Sequence, residues 1–222
     1  MKSKLKGLAR DLAPPLLLRA LRKLRRGSER RPGEERPADW YDHSFERHDQ
    51  WRDHYSQSHY YFLWTVIADR LLRAKAQRVL DIGCGPGQLA CLLRDKGIAD
   101  YHGFDFSPKR VEHARQVCPQ FRFTVEDAFT TDLFSTFGYD SVVCTEFLEH
   151  VERDLEILKK IRAVARVLAT VPNFPGSAHI RFFGDAEEVR ARYSQSFHDF
   201  TVDTFIANAN GKTFYLLEGT KR

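Results

Sequence analysis

The sequence of 222 residues predicts an α/β fold built on a doubly wound sheet. One observation is an apolar strand at Arg78–Ile82 that runs into a glycine-rich turn and then a helix at Gln88–Asp95. Another is that strand-like and helical segments alternate over the rest of the chain, an order typical of parallel sheets covered by helices on both faces. The third is a hydrophobic content of 42%, which at this length supplies the core of one domain.

The remaining elements follow from local patterns. Residues 62–73 form an amphipathic helix with Leu63, Ile67 and Leu71 on its buried face. Ser107 and Pro108 are the expected N-cap and first residue of a helix over 109–116. We expect further strands at 101–107, 121–125, 139–145, 166–171, 197–202 and 213–219, and further helices at 152–161 and 185–193.

The turn after the first strand is the most informative stretch. Gly83, Gly85 and Gly87 alternate with other residues, whereas the dinucleotide-binding fingerprint would place its third glycine at the position of Gln88. A glycine turn before a helix N-terminus typically holds a nucleotide or a similar polar, partly anionic ligand. Asp81 lies at the strand end, where its carboxylate can accept hydrogen bonds from the turn or from a ligand ammonium.

This strand and turn resemble motif I of the class I S-adenosylmethionine (SAM) dependent methyltransferases. The alternative is a Rossmann-type turn for another nucleotide. The resemblance implies a Rossmann-like methyltransferase fold with a seven-stranded, mostly parallel sheet whose last strand is antiparallel, here preceded by an N-terminal helical extension. It also implies SAM as the cofactor and S-adenosylhomocysteine (SAH) as its product.

Other residues fall into step with that motif. Asp105 lies 24 residues after Asp81, near the spacing at which an acid at a strand end binds ribose hydroxyls. In the family, an acid at the position of Asp127 binds the adenine amino group, and the following residue, Ala128, donates a backbone N–H. Phe106 and Phe129 could form apolar walls for the adenine. The predicted cofactor-binding residues are Asp81, Gly83, Cys84, Gly85, Gly87, Asp105, Phe106, Asp127, Ala128 and Glu146.

The positive charge is concentrated at the N-terminus. Of the net charge of +5, residues 1–26 carry +8, residues 27–37 are neutral, and residues 38–222 carry −3. The acidic body offers no basic groove for nucleic acid. Residues 1–26 form a basic amphipathic tail typical of an interfacial membrane helix; docking on a partner protein and a targeting presequence are the alternatives. We expect a cytoplasmic protein, peripheral to the inner face of the membrane, with residues 27–37 as a linker.

Two further features of the sequence are a segment rich in aromatic residues before the first strand and the four cysteines. Residues 40–61 are crowded with aromatic and histidine side chains, so residues 38–75 are predicted to form a helical lid over the SAM-binding domain at 76–222. His59, Tyr60 or Tyr61 would line the pocket; alternatively, the rings only pack on the sheet edge. The four cysteines show no metal or disulfide spacing, which predicts reduced thiols and argues against a zinc site.

The acceptor side of the site is predicted from residues that follow the later strands. A hydroxyl acceptor needs a base within hydrogen-bonding reach. His150, Glu149 and His179 are the candidate catalytic residues, although His150 could equally be a packed histidine with no role in proton transfer. Arg181 would bind an anionic substrate group or pair with Glu187 or Glu188.

The pattern Glu146-x-x-Glu149-His150 leaves a metal site open. It resembles the terminal 2′-O-methyltransferases of small RNAs, in which such residues and a later histidine bind a divalent ion; that histidine would be His179 or His198. The same pattern is common in ubiquinone-biosynthesis O-methyltransferases and in bacterial glycan or natural-product enzymes. We therefore expect no metal and O-methylation of a small-molecule or glycan-type acceptor. An RNA methyltransferase and a catalytically silent SAM-binding partner module are the alternatives.

Overall fold

The computed structural model describes residues 33–208 and 210–222, which contain a single seven-stranded sheet. The predicted tail at 1–26 and the first part of the predicted linker, 27–32, lie outside the described residues. The strands are β1 (Arg78–Ile82), β2 (Asp100–Asp105), β3 (Arg122–Val125), β4 (Ser141–Cys144), β5 (Arg166–Pro172), β6 (Phe197–Ile206) and β7 (Thr213–Lys221).

The sheet has the order β3-β2-β1-β4-β5-β7-β6. The pairs among β1 to β5 are parallel, and β7 inserts antiparallel between β5 and β6. The chain therefore winds in one direction from β1 to β3 and in the other from β4 onward. This order confirms the predicted doubly wound, mostly parallel sheet with an antiparallel final strand.

Helices cover both faces of this sheet. They are α1 (Ala38–Arg47), α2 (Tyr61–Arg73), α3 (Gln88–Asp95), α4 (Pro108–Val117), α5 (Leu133–Thr136), α6 (Asp154–Lys160) and α7 (Ala186–Tyr193). The sequence did not predict α5, because four residues are too few to show helical periodicity. None of the helices in residues 33–208 and 210–222 is both long and apolar enough to cross a membrane.

The two faces of the sheet bury separate hydrophobic clusters. Successive side chains of a strand point to opposite faces. Val79 accordingly packs with the buried faces of α2, α3 and α4, whereas Leu80 and Ile82 pack with those of α5, α6 and α7. Leu63, Ile67 and Leu71 of α2 are fully buried, as predicted. All four cysteines are buried and form no disulfide.

The predicted lid segment is helical over most of its length. After α1 come two 3-10 helical turns, Asp49–Trp51 and Tyr55–Gln57, and then α2. The Asp42 carboxylate of α1 accepts a hydrogen bond from the Ser107 hydroxyl at the start of α4. This contact holds α1 beside the carboxyl ends of the parallel strands, the edge at which doubly wound sheets bind ligands.

Candidate functional site

The glycine turn after β1 adopts a backbone that other residues rarely adopt. Gly83, Gly85 and Gly87 all have positive φ angles, of 72°, 54° and 86°. A Cβ atom on Gly83 would lie 2.6 Å from the Phe147 ring, and one on Gly87 would lie 2.9 Å from Ala114 of α4. Gly83 lines the two cavities described below. Gly87 lines neither of them, and its lack of a Cβ atom allows α3 to pack closely against α4.

Two buried carboxylates flank this turn. Asp81 accepts a hydrogen bond of 2.6 Å from the Tyr101 hydroxyl through Oδ2, and its Oδ1 has no partner among the described residues. Asp105 accepts from the backbone N–H of Gly85 at 3.1 Å and of Ser107 at 2.9 Å. Burial raises the pKa of Asp81 to about 7 and also raises that of Asp105, which the Arg110 charge partly offsets. Both side chains thus place carboxylate oxygens, which can accept hydrogen bonds, beside the turn.

A first cavity opens where β2 and β3 end. Its volume is about 700 Å³ including its open mouth. Asp127 is exposed at its rim and accepts a 2.7 Å hydrogen bond from the N–H of Phe129. Six of the predicted cofactor residues line this cavity together with Phe129: Gly83, Asp105, Phe106, Asp127, Ala128 and Glu146.

A second cavity, of about 1010 Å³ on the same measure, lies between the glycine turn, β4 and the N-terminal helices. Its walls include Asp81, Cys84 and Gly85 on one side and Tyr60 on the other. Neither His59 nor Tyr61, the other predicted lid contacts, lies in its walls. The two cavities are adjacent and share a wall formed by Tyr41, Gly83, Arg110, Glu146 and His150.

The carboxyl end of β4 brings Glu146 to this shared wall, and Glu149, three residues later, lines neither cavity. Glu146 has a positive φ of 51° and accepts hydrogen bonds from the Thr170 hydroxyl at 3.0 Å and the Tyr60 hydroxyl at 3.4 Å. Burial raises the pKa of Glu146 to about 7. Glu149 is fully buried, and neither of its carboxylate oxygens has a donor among the described residues. Burial, followed by the Glu146 charge, raises the pKa of Glu149 well above its usual range.

Two histidines lie beside Glu149. The Nδ1 atom of His150 is 2.9 Å from the carbonyl of Ala178, and that of His179 is 3.1 Å from the carbonyl of Phe174. Because a carbonyl only accepts, each Nδ1 carries the proton and each Nε2 keeps its lone pair. Burial lowers the pKa of His150 to about 3 and also lowers that of His179. Both rings are therefore neutral at physiological pH.

These residues also form a group with the spacing of metal ligands. Ligand atoms of Glu149, His150 and His179 all lie within 4.8 Å of one another. His198, the other histidine considered as a ligand, is exposed on β6 and pairs with Thr220 at the far edge of the sheet. The structure therefore contradicts a metal site containing His198, and Glu146 does not belong to the group.

The predicted role of Arg181 is wrong. Its guanidinium lies 3.4 Å from the buried carboxylate of Asp154 and donates to the backbone carbonyls of Leu148 and Val151. Its predicted partners, Glu187 and Glu188, bind Arg190 and the N–H of Gly184 instead. Arg181 thus holds the segment after β4 in place, and its guanidinium is already bound by groups of the protein itself.

Sequence reasoning missed three residues of the site. The Arg110 guanidinium lies over the rings of Tyr41, at 4.8 Å, and Trp51, at 5.2 Å. These contacts join α4 to the N-terminal segment, although Arg110 follows Trp51 by nearly 60 residues in the sequence and Tyr41 by more than that. No local pattern signals them, because each of the three residues belongs to a different element.

Comparison with known proteins agrees with this architecture. A family profile described as "Methyltransferase domain" matches residues 79–170. A ubiquinone biosynthesis O-methyltransferase from Xanthomonas oryzae is 36% identical over 95 residues, which are 41% of this chain and 38% of that protein. The chain thus spans about two fifths of the length of this relative.

Two solved structures share the fold. Magnesium protoporphyrin IX methyltransferase from Synechocystis PCC 6803, crystallised with bound SAH, superimposes with a TM-score of 0.56 at 19% identity, over 72% of this chain and 82% of that one. The [4+2]-cyclase SpnF has a TM-score of 0.59 at 14% identity, over 72% and 80%. At these identities the likeness concerns the fold alone. The profile match from β1 into β5 and the shared fold thus make this part of the chain similar to a methyltransferase domain.

Proposed function

We propose that this protein is a SAM-dependent methyltransferase that methylates a hydroxyl group of a small-molecule or glycan-type acceptor. The observation that carries the proposal is the pair of adjacent cavities, both of which are lined by Gly83 of the glycine turn. One cavity has the acids and aromatic walls suited to an adenosine. The other has the glycine turn and a buried acid suited to an amino-acid group.

The chain's own residues fit the cofactor. Each Asp105 oxygen accepts one backbone hydrogen bond and retains a lone pair, so the carboxylate can also accept from a ribose diol. Asp127 at the rim can accept from an adenine amino group. The unpaired Oδ1 of Asp81 offers an acceptor for an ammonium. When bound, SAM supplies an electrophilic methyl group, and the protein contributes position and proton handling.

Proton removal from the acceptor is assigned to the residues after β4. His150 is neutral, its Nδ1 is held by the Ala178 carbonyl, and its Nε2 can accept a hydrogen bond from a hydroxyl. Glu149 lies 3.8 Å from that Nε2, and burial raises the pKa of its carboxyl group well above the usual range. His179 packs against His150 with ring centroids 4.9 Å apart and limits the positions that the ring can take.

A direct test combines binding and turnover. Calorimetry with SAH measures whether the donor site exists, and transfer of a radiolabelled methyl group from SAM is measured on phenolic, sugar and RNA 3′-terminal acceptors. The relative named as an O-methyltransferase favours a hydroxyl acceptor. Micromolar SAH binding with methylation of a phenol or sugar hydroxyl supports the proposal. Absence of SAH binding would overturn it.

A second candidate is metal-assisted methyl transfer. The ligand atoms of Glu149, His150 and His179 within 4.8 Å, together with the lack of donors to Glu149, favour it. Mn²⁺ titration followed by calorimetry, with the Glu149→Gln variant as control, tests it. Mn²⁺ binding that is lost in the variant, with turnover stimulated by the metal, would support a metal-dependent enzyme of the RNA-terminal type.

The composition of the N-terminal tail supports a location at a membrane surface. Residues 1–26 carry nine Lys or Arg against one Asp, and their leucines recur at helical spacing. Such a segment gains affinity from apolar burial and from attraction to anionic lipid. We infer that this tail places the enzyme at the cytoplasmic face of a membrane.

A further inference from the structure

Three buried polar atoms at the second cavity have no hydrogen-bond partner among the described residues. They are Oδ1 of Asp81, Nε of Arg110 and Nε1 of Trp51. All three residues line that cavity. Buried polar groups are nearly always paired in folded proteins, so unpaired ones in a cavity wall indicate a missing ligand.

Arg110 is the cation of this set. In residues 33–208 and 210–222 its guanidinium forms neither a hydrogen bond nor an ion pair, and its only side-chain contacts of a specific kind are with the rings of Tyr41 and Trp51. The Arg110 charge acts on the buried Asp105, but the side chains of these two residues form no ion pair in the described part of the chain. A positive charge in a cavity wall without a counter-ion favours an anionic ligand group.

Trp51 is held in place from the other side of the cavity. The buried amide of Gln88, the first residue of α3, donates to the carbonyls of Gln50 at 3.1 Å and Asp53 at 2.7 Å. These two carbonyls flank Trp51 in the chain, so its 3-10 turn is fixed to the helix that follows the glycine turn. The indole N–H is therefore a positioned donor at the cavity wall.

The three atoms complement one kind of chemical group. Asp81 offers an anionic acceptor, and Arg110 and Trp51 offer two donors with a positive charge. An α-amino-acid zwitterion presents an ammonium, which only donates, and a carboxylate, which only accepts. We propose that Arg110 and Trp51 bind the carboxylate, and Asp81 the ammonium, of the amino-acid end of the methyl donor. This assignment rests on the proposed function.

A ligand-truncation experiment tests the proposal. Calorimetry compares SAH with 5′-methylthioadenosine, which has the same adenosine and sulfur but lacks the amino-acid group. The proteins are the wild type, Arg110→Met, Trp51→Phe and the control Lys109→Met. Lys109 neighbours Arg110 on α4 but lines neither cavity, and its exposed ion pair with Glu46 contributes little.

Arg110→Met should weaken SAH binding by about 10-fold or more, because a charge-assisted hydrogen bond is lost, while binding of methylthioadenosine stays nearly unchanged. Trp51→Phe, which keeps an aromatic ring but removes the N–H, should weaken SAH binding by about 3-fold to 10-fold with the same selectivity. Lys109→Met should alter neither.

Equal losses for both ligands would overturn the proposal, since they would indicate an effect on adenosine binding or folding. Unchanged SAH affinity in Arg110→Met, with a raised KM for an anionic acceptor, would also overturn it and assign the cation to the acceptor. A wild-type protein that binds methylthioadenosine but gains nothing from the amino-acid group would contradict this inference alone. A wild-type protein that binds neither ligand would remove the proposed function as well.

Discussion

The backbone N–H of Gly85 donates a 3.1 Å hydrogen bond to the carboxylate of Asp105. This bond ties the glycine turn after β1 to the end of β2, so the two halves of the candidate donor site are held in one geometry. A change at Asp105 should therefore affect the shape of the turn as well as the contact with a ribose.

We predict that Asp105→Ala lowers the affinity for SAH by about 100-fold, because it removes a charged acceptor of ribose hydroxyls and frees the Gly85 N–H. Asp105→Asn, which keeps one acceptor oxygen, should lose less. Calorimetry with SAH measures both. Methylthioadenosine shares the ribose, so its affinity should fall in parallel; an unchanged affinity in Asp105→Ala would rule out the ribose assignment.

Proton release on SAH binding is the second prediction. With a pKa of about 7, Asp81 is half protonated near neutral pH, and a ligand ammonium favours its ionised form. Binding should therefore release protons, and SAH affinity should fall as the pH drops below 7. Calorimetry in buffers of different ionisation enthalpy measures the number of protons released.

Glu146 also has a pKa of about 7 and lines both cavities, so it is another group able to release a proton. The Asp81→Asn variant separates the contribution of Asp81 from those of other groups. Proton release should drop in this variant, leaving the contributions of Glu146 and of other buried acids whose pKa is raised. The same proton release in Asp81→Asn as in the wild type would contradict the role given to Asp81.

Substitution of His150 tests the acceptor side. His150→Gln should lower kcat by about 100-fold or more while SAH affinity changes little, because a positioned proton acceptor is lost. Since burial holds the pKa of His150 at about 3, its titration should add no limb to the kcat/KM profile near pH 6.5. His198→Gln, at the exposed far edge of the sheet, is the matched control and should behave as the wild type. A kcat for His150→Gln close to that of the control would mean that His150 only packs.

The buried carboxylate of Asp154 should matter for stability. It binds Arg192 at 2.6 and 2.8 Å, the Tyr193 hydroxyl at 2.7 Å and Arg181 at 3.4 Å. Asp154→Ala leaves these donors unpaired and should lower the free energy of unfolding in urea by about 3 kcal/mol or more. Glu156→Gln, which breaks an exposed ion pair on the same helix, should cost less than about 1 kcal/mol. Similar losses in the two variants would show that the Asp154 network contributes little.

Removal of residues 1–26 tests the proposed location. The truncated protein should no longer sediment with vesicles that contain anionic phospholipid, because it loses a net charge of +8 and the leucines of the tail. Its SAH affinity should be unchanged, since the cavity-lining residues in the described part of the chain all follow the tail. Vesicle binding equal to that of the full chain would exclude the tail as the membrane contact.

Much of the fold was predictable because its signals are local. Buried parallel strands appear as short apolar runs, and Ser107 forms the predicted cap by accepting from the N–H of Arg110. β6 extends to Ile206, beyond its predicted end at residue 202, and in its second half only Val202 is buried, so no apolar run marks this part of the strand. The strand's length depends on pairing with β7, which a local pattern does not contain.

The positions of residues in the candidate site were predictable from the sequence only where those residues belong to a recognisable motif. Asp81 and Asp105 lie at the carboxyl ends of β1 and β2, as the sequence pattern indicated. Arg181 and His198 were misplaced because their surroundings depend on α6 and on the edge position of β6. Arg110 escaped notice because its role arises from contacts with Tyr41 and Trp51, which only the folded chain brings together.

A crystal structure with bound SAH tests the central claim most directly. The account predicts electron density for the amino-acid group over the glycine turn at Gly83–Gly85, with the ribose on Asp105 and the adenine beside Asp127. Density located elsewhere, or an adenosine that makes no contact with Asp105, would contradict it.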